Sequence, residues 1–98
     1  VDAVSIVLIG GHERMHELYK EVCREQGHSL KVFTTMPARL EKAIGQPSAI
    51  VLFTNTVSHS MVNLAVKTAK KRKIPVVRAH SSSKDSLATA LRSLISAN

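Results

Sequence analysis

Hydrophobic and polar positions follow two periods along this chain. Four short apolar runs stand at Val4–Ile9, Ser29–Thr34, Ala49–Phe53 and Ile74–Ala79. Between and after them, apolar residues recur at helical spacing: Met15, Leu18, Tyr19, Val22 and Cys23, then Leu40, Ala43 and Ile44. A third stripe is Met61, Leu64, Ala65, Thr68 and Ala69, and a fourth is Leu87, Ala88, Leu91, Leu94 and Ile95. The runs predict strands and the stripes predict helices, in the order βαβαβαβα. Gly27 and Gly45 stand just past the first two helical stretches as stops, and Pro37 precedes the second.

The first and third runs are nearly unbroken, as expected of parallel strands covered on both faces. The second places Lys31 between Leu30 and Val32, which suits an edge strand, and the fourth carries Pro75 near its start, a place a strand tolerates. Right-handed crossovers then give an α/β three-layer sandwich, a four-stranded parallel sheet in order 2-1-3-4 with helices on both faces. The 98 residues fit one domain, 1–98. The chain opens at Val1, directly on a strand, and is expected to be a domain cut from something longer or a trimmed form.

No apolar run approaches the roughly 18 residues of a membrane span, and no secretion signal is visible. Cys23 is the one cysteine, which excludes an internal disulfide and a cysteine-based zinc cage. An unpaired cysteine and no signal lead to the expectation of a cytoplasmic protein. The formal net charge is +7, with 14 basic and 7 acidic residues. Residues 1–49 carry six of each sign, so the excess lies in residues 50–98, where eight basic residues face Asp85 alone. Lys67, Lys70, Lys71, Arg72 and Lys73 supply most of it, and the run from Lys70 falls at a helix C-terminus, where cations complement the dipole in water.

Ligands of open α/β sheets bind outside the carboxyl ends of the strands, where strand order reverses. Here that is the gap between the first and third strands. Gly10-Gly11-His12 follows the first strand, Thr54-Asn55-Thr56-Val57-Ser58-His59-Ser60 the third, and Arg78-Ala79-His80-Ser81-Ser82-Ser83 stands at the end of the fourth. Singly these residues have structural uses: the glycines in a tight turn, Ser58 or Ser60 as helix caps, Ser82 with Asp85 as a capping box. Together, Gly10, Gly11, His12, Asn55, Ser58, His59, Arg78 and Ser82 offer backbone approach, helix N-terminal amides, hydroxyls and a cation, a set that suits phosphate or carboxylate.

Standard catalytic patterns fail in turn. His12-Glu13-Arg14-Met15-His16 matches H-E-x-x-H, but it begins at a strand-to-helix turn, the wrong context for a zinc peptidase. The dinucleotide fingerprint lacks its third glycine and its ribose-binding acid, and no P-loop, receiver carboxylates, phosphatase thiolate or G-x-S-x-G elbow is present. Cys23 reads as core. The expected function is therefore a non-catalytic ligand-binding or regulatory module, a homodimer, gripping a small anionic ligand at this rim. An alternative is a metal ion or haem held among His12, His16, His59 and His80. A nucleic-acid-binding module is a third reading and is not favoured. Lys67 to Lys73 offer phosphate contacts, but Tyr19, Phe33 and Phe53, the only aromatic residues, fall on strands or a core stripe.

The succession of Gly10-Gly11-His12, Ser58-His59 and Ser81-Ser82-Ser83, with His12-Glu13-Arg14-Met15 and Lys67, resembles the bacterial family catalogued as domain of unknown function 2325. The likeness runs over essentially the whole chain. It implies a small Rossmann-like domain of flavodoxin-like strand order, found alone or at the end of longer chains, and it implies no particular reaction. Members of that family carry acidic or histidine residues after the second strand. This chain has Thr34-Thr35-Met36-Pro37 there, so the resemblance carries over no ligand contact from that loop.

Overall fold

The computed structural model describes residues 4–35 and 37–96. Met36 and the side chain of Ile95 lie outside the described residues. Four strands, β1 (Val4–Ile9), β2 (His28–Phe33), β3 (Ala49–Phe53) and β4 (Val76–Ala79), form one parallel sheet in the order β2-β1-β3-β4. Four helices complete the chain: α1 (His16–Glu25), α2 (Leu40–Ile44), α3 (His59–Arg72) and α4 (Lys84–Ser96). The expected topology and strand order are those observed. β4 begins after Pro75, two residues later than the apolar run, and α1 is entered through a single 3₁₀ turn, Glu13–Met15. Among the described residues no helix is long and apolar enough to cross a membrane.

The period of two along β1 and β3 divides the core into two layers. Ile6, Leu8, Val51 and Phe53 face α1 and α4, where they meet Tyr19, Val22, Cys23, Leu87 and Leu91. Val7, Ile9, Ile50 and Leu52 face α2 and α3, against Leu40, Ile44, Met61, Ala65 and Ala69. Side chains this fully buried are worth about 1.5–3 kcal/mol each, and the central strands hold most of them. Tyr19 packs against Phe53 with ring centroids 5.6 Å apart and planes tilted by 56°. Leu18, expected on the first stripe, sits on its flank and is exposed.

The basic run is divided between two surfaces. Arg72, expected in water with its neighbours, is only 27% exposed and donates from Nη1 to the carbonyl of Glu41 at 3.0 Å and to that of Gly45. A five-residue helix cannot satisfy its last carbonyls internally, and the Arg72 fork supplies the donors α2 lacks. Gln46 returns a bond to the Arg72 carbonyl at 3.1 Å, while Lys71 meets Glu41 at 3.4 Å on the open surface. Lys73 ends α3 in the left-handed region, φ 57°, with the Ile74 amide bonded back to Ala69 at 2.8 Å.

Replacing Arg72 with alanine is expected to lower stability by about 1–3 kcal/mol, because two carbonyls lose a charged donor. Lys71→Ala stays within about 0.5 kcal/mol of the parent; urea unfolding of both variants checks the contrast. Burial pushes the Cys23 thiol up from 9.0 to about 11. The unfolded chain therefore loses this proton at lower pH than the folded one, and the group's contribution falls only as pH rises from 9.0 to about 11. At neutral pH Cys23 is expected to resist a thiol reagent until urea opens the fold, a rate read by absorbance.

Candidate functional site

Three of the crossings at the carboxyl end of the sheet form the candidate site: from β1 into the 3₁₀ turn, from β3 into α3 and from β4 into α4. Gly10 and Gly11 make the first with φ of 105° and 85°, a region that side chains disfavour. The space around both is filled by protein. A Cβ on Gly10 would stand 3.0 Å from the Phe53 carbonyl oxygen, and one on Gly11 would stand 2.9 Å from the Tyr19 ring and hydroxyl. The glycines let the β1 loop lie against the end of β3 and against α1, and both are buried.

The three crossings are tied by a chain of hydroxyls. The Gly11 amide donates to Thr56 Oγ1 at 2.7 Å. Thr56 Oγ1 and Ser82 Oγ are 3.0 Å apart, and Ser82 Oγ donates to Asn55 Oδ1 at 2.9 Å. A hydroxyl has one proton: Ser82 gives its own to Asn55, and that of Thr56 is shared between Ser82 Oγ and the Phe53 carbonyl, 3.3 Å away. The Gly11 amide, Thr56, Ser82 and Asn55 thus stand in one hydrogen-bonded chain, in which neighbouring bonds polarise one another. Tyr19 adds a strut from below. Its hydroxyl donates to the Ser82 carbonyl at 2.6 Å and accepts from the His12 amide at 3.4 Å.

Gly11, Asn55 and Ser82, expected together at a ligand rim, are thus brought together, and they spend polar groups on one another. Ser82 is 6% exposed and does not cap α4. Ser83 does, accepting from the Ser86 amide at 3.2 Å, so the expected pairing of Ser82 with Asp85 gives way to a cap one residue later. Ser58 caps α3 as expected, accepting from the Met61 amide at 3.2 Å. His12, Asn55, Ser58, His59 and His80 remain exposed around the tied loops. Asn55 commits Oδ1 to Ser82, which leaves its NH₂ end with donors to offer. The first turn of α3 holds no acidic residue.

Arg78 lies on the edge strand opposite Leu52 and lines two cavities, one with Lys70 and Lys73 and one with His80 and Ser81. His16 is half-buried as the first residue of α1, with Nε2 lacking a partner, and His12 precedes the 3₁₀ turn. The two therefore do not share one α-helical face. Among the described residues no group of three His, Cys, Asp or Glu side chains is placed to hold a metal ion. Sequence reasoning missed Thr56 and the Tyr19 hydroxyl. A tyrosine rather than phenylalanine on a buried stripe was the available sign, since a buried hydroxyl needs a partner.

A family described as an uncharacterized protein conserved in bacteria, DUF2325, matches residues 5–94. The chain belongs to the DUF2325 family. No curated protein and no solved structure matches it. The match to DUF2325 spans the four strands, save Val4 at the start of β1, and every loop of the tied rim.

Gly11→Ala is expected to cost about 2–4 kcal/mol, the sum of left-handed backbone strain and displacement of Tyr19. Gly27 has φ 79° and open space around its Cβ position. Gly27→Ala is expected to cost only about 1–2 kcal/mol, the backbone part alone. Urea midpoints of the two variants give the packing share by difference.

Proposed function

We propose that this domain is a non-catalytic binding or regulatory module that takes a small anionic ligand at the carboxyl end of the sheet, beside the crevice between β1 and β3. The observation that carries the reading is the start of α3. Its first turn holds no acidic residue, and Asn55, Ser58 and His59 stand exposed around it. An anion there gains from the dipole, from first-turn amides and from side-chain donors. The tied loops support the reading by holding these donors on a fixed frame, which lowers the ordering cost of binding. The buried side of the frame, Gly10, Gly11 and Ser82, acts as scaffold, and contact falls to His12, Asn55, Ser58 and His59.

Inorganic phosphate and citrate, titrated separately into labelled protein, are expected to move the backbone amide resonances of residues 55–60 and His12 in a saturable way. His59→Glu places a carboxylate at the helix start and is expected to weaken that binding by about tenfold. Shifts confined to Lys70–Lys73, or an unchanged affinity in the variant, would rule the site out.

A further inference from the structure

β4 is an open edge of the sheet. The Ile50 amide donates to the Pro75 carbonyl and the Thr54 amide to the Ala79 carbonyl, both at 2.9 Å. Pro75, Val77 and Ala79 therefore turn their peptide groups to β3, and the N–H and C=O of Val76 and Arg78 point outward, as parallel pairing dictates. Natural edges are usually blunted by a bulge, a proline or a cover. Here Pro75 precedes the strand, and the outward groups of Val76 and Arg78 stay available.

Two grooves flank this edge, and their chemistry differs. On the α3 side a cavity of about 400 Å³ is rimmed by Lys70, Lys73 and Arg78, all exposed. Its floor is Val66, Ala69, Ile74 and Val76, and no described carboxylate lines it. Lys71 and Arg72 turn instead to Glu41 and α2, so three cations of this flank face one apolar groove without a counter-ion there. On the α4 side a cavity of about 530 Å³ has Val77, Ala79, Thr89 and Ala90 in its lining, with Arg78, His80 and Asp85 beside them.

We infer that the β4 edge is a docking site for an extended segment of another protein in which acidic residues alternate with small apolar ones. Added as a fifth strand, the segment bonds to the free peptide groups of Val76 and Arg78. The period of two sends its acidic side chains to the α3 face, towards Lys70, Lys73 and Arg78, and its small apolar side chains to the α4 face, against Val77, Ala79 and Ala90. A second copy of this chain is a poor occupant, since two-fold pairing of β4 edges brings both cation clusters together. Single-stranded nucleic acid lacks a stacking surface here: Tyr19 and Phe53 are fully buried and Phe33 lies on the opposite edge. This site is separate from the anion site proposed above.

The test uses a fluorescein-labelled peptide of alternating aspartate and valine, about seven residues long, titrated with the 98-residue chain at about 50 mM salt. Fluorescence anisotropy is expected to show saturable binding, weakened about tenfold by Arg78→Glu and equally by N-methylation of alternate peptide amides. Amide resonances of the unmodified protein are expected to move over residues 74–80 and the end of α3. The N-methylated peptide tests strand pairing on the parent protein, so the inference does not hang on how the variant folds. Absence of binding, equal binding of the N-methylated peptide, or tighter binding of a single-stranded oligonucleotide of equal charge would each overturn it. So would the same amides shifting with protein concentration alone, the sign of a second copy on the edge.

Discussion

The Tyr19 hydroxyl holds one proton, and it is buried where it has to give that proton to something. It gives it to the Ser82 carbonyl, and with its lone pair it takes the His12 amide. Those two bonds join α1 to the crossings that follow β1 and β4, across the face of the sheet. An unsatisfied hydroxyl there would cost about 1–3 kcal/mol, so ring and loops are held to one another. Once Ser82 is fixed by its backbone, its side chain is left facing Thr56 and Asn55, and the third crossing is tied in as well. Gly11 is required by the same ring, because any side chain there would overlap it.

The frame separates scaffold from surface. Polar residues that looked like ligand groups, Ser82 above all, are consumed in holding the loops, and what faces outward is a narrower set of histidines, Asn55 and a helix start without acidic residues. The basic character of the chain is divided in a similar way. Arg72 is structural, completing a helix too short to complete itself, and Lys71 pairs loosely with Glu41. Lys70 and Lys73, three residues apart at the end of α3, lie with Arg78 on the α3 flank of the β4 edge. The carboxyl rim and this edge are different surfaces with different chemistry.

How far the sequence could be read follows from the range of the interactions involved. Strand and helix periods are local, and the contrast between the continuous runs of β1 and β3 and the mixed runs of β2 and β4 placed centre and edge correctly. The Ser58 cap was legible because a cap reaches only three residues along the chain. The partners of Ser82 were not, since Asn55 and Thr56 are brought to it by strand order, and a capping motif one residue out of register offered a nearer explanation. The two sides of Arg78 were not legible for the same reason. Its place near a strand's end suggested the rim, and the edge position sets it both beside His80 and Ser81 and beside Lys70 and Lys73 of the α3 side.

By itself, then, the sequence determined the succession of elements, the two-sided burial of the central strands and the neighbourhood of the tied loops, because hydrophobic periodicity and the short reach of turns are written into neighbouring residues. Tertiary structure alone decided which hydroxyls bond to which, why Gly11 must be glycine, and how one basic run divides between a helix-capping arginine and an open groove. Those outcomes depend on distances between segments far apart in the chain, and a proton with one donor position goes to whichever acceptor the fold brings near.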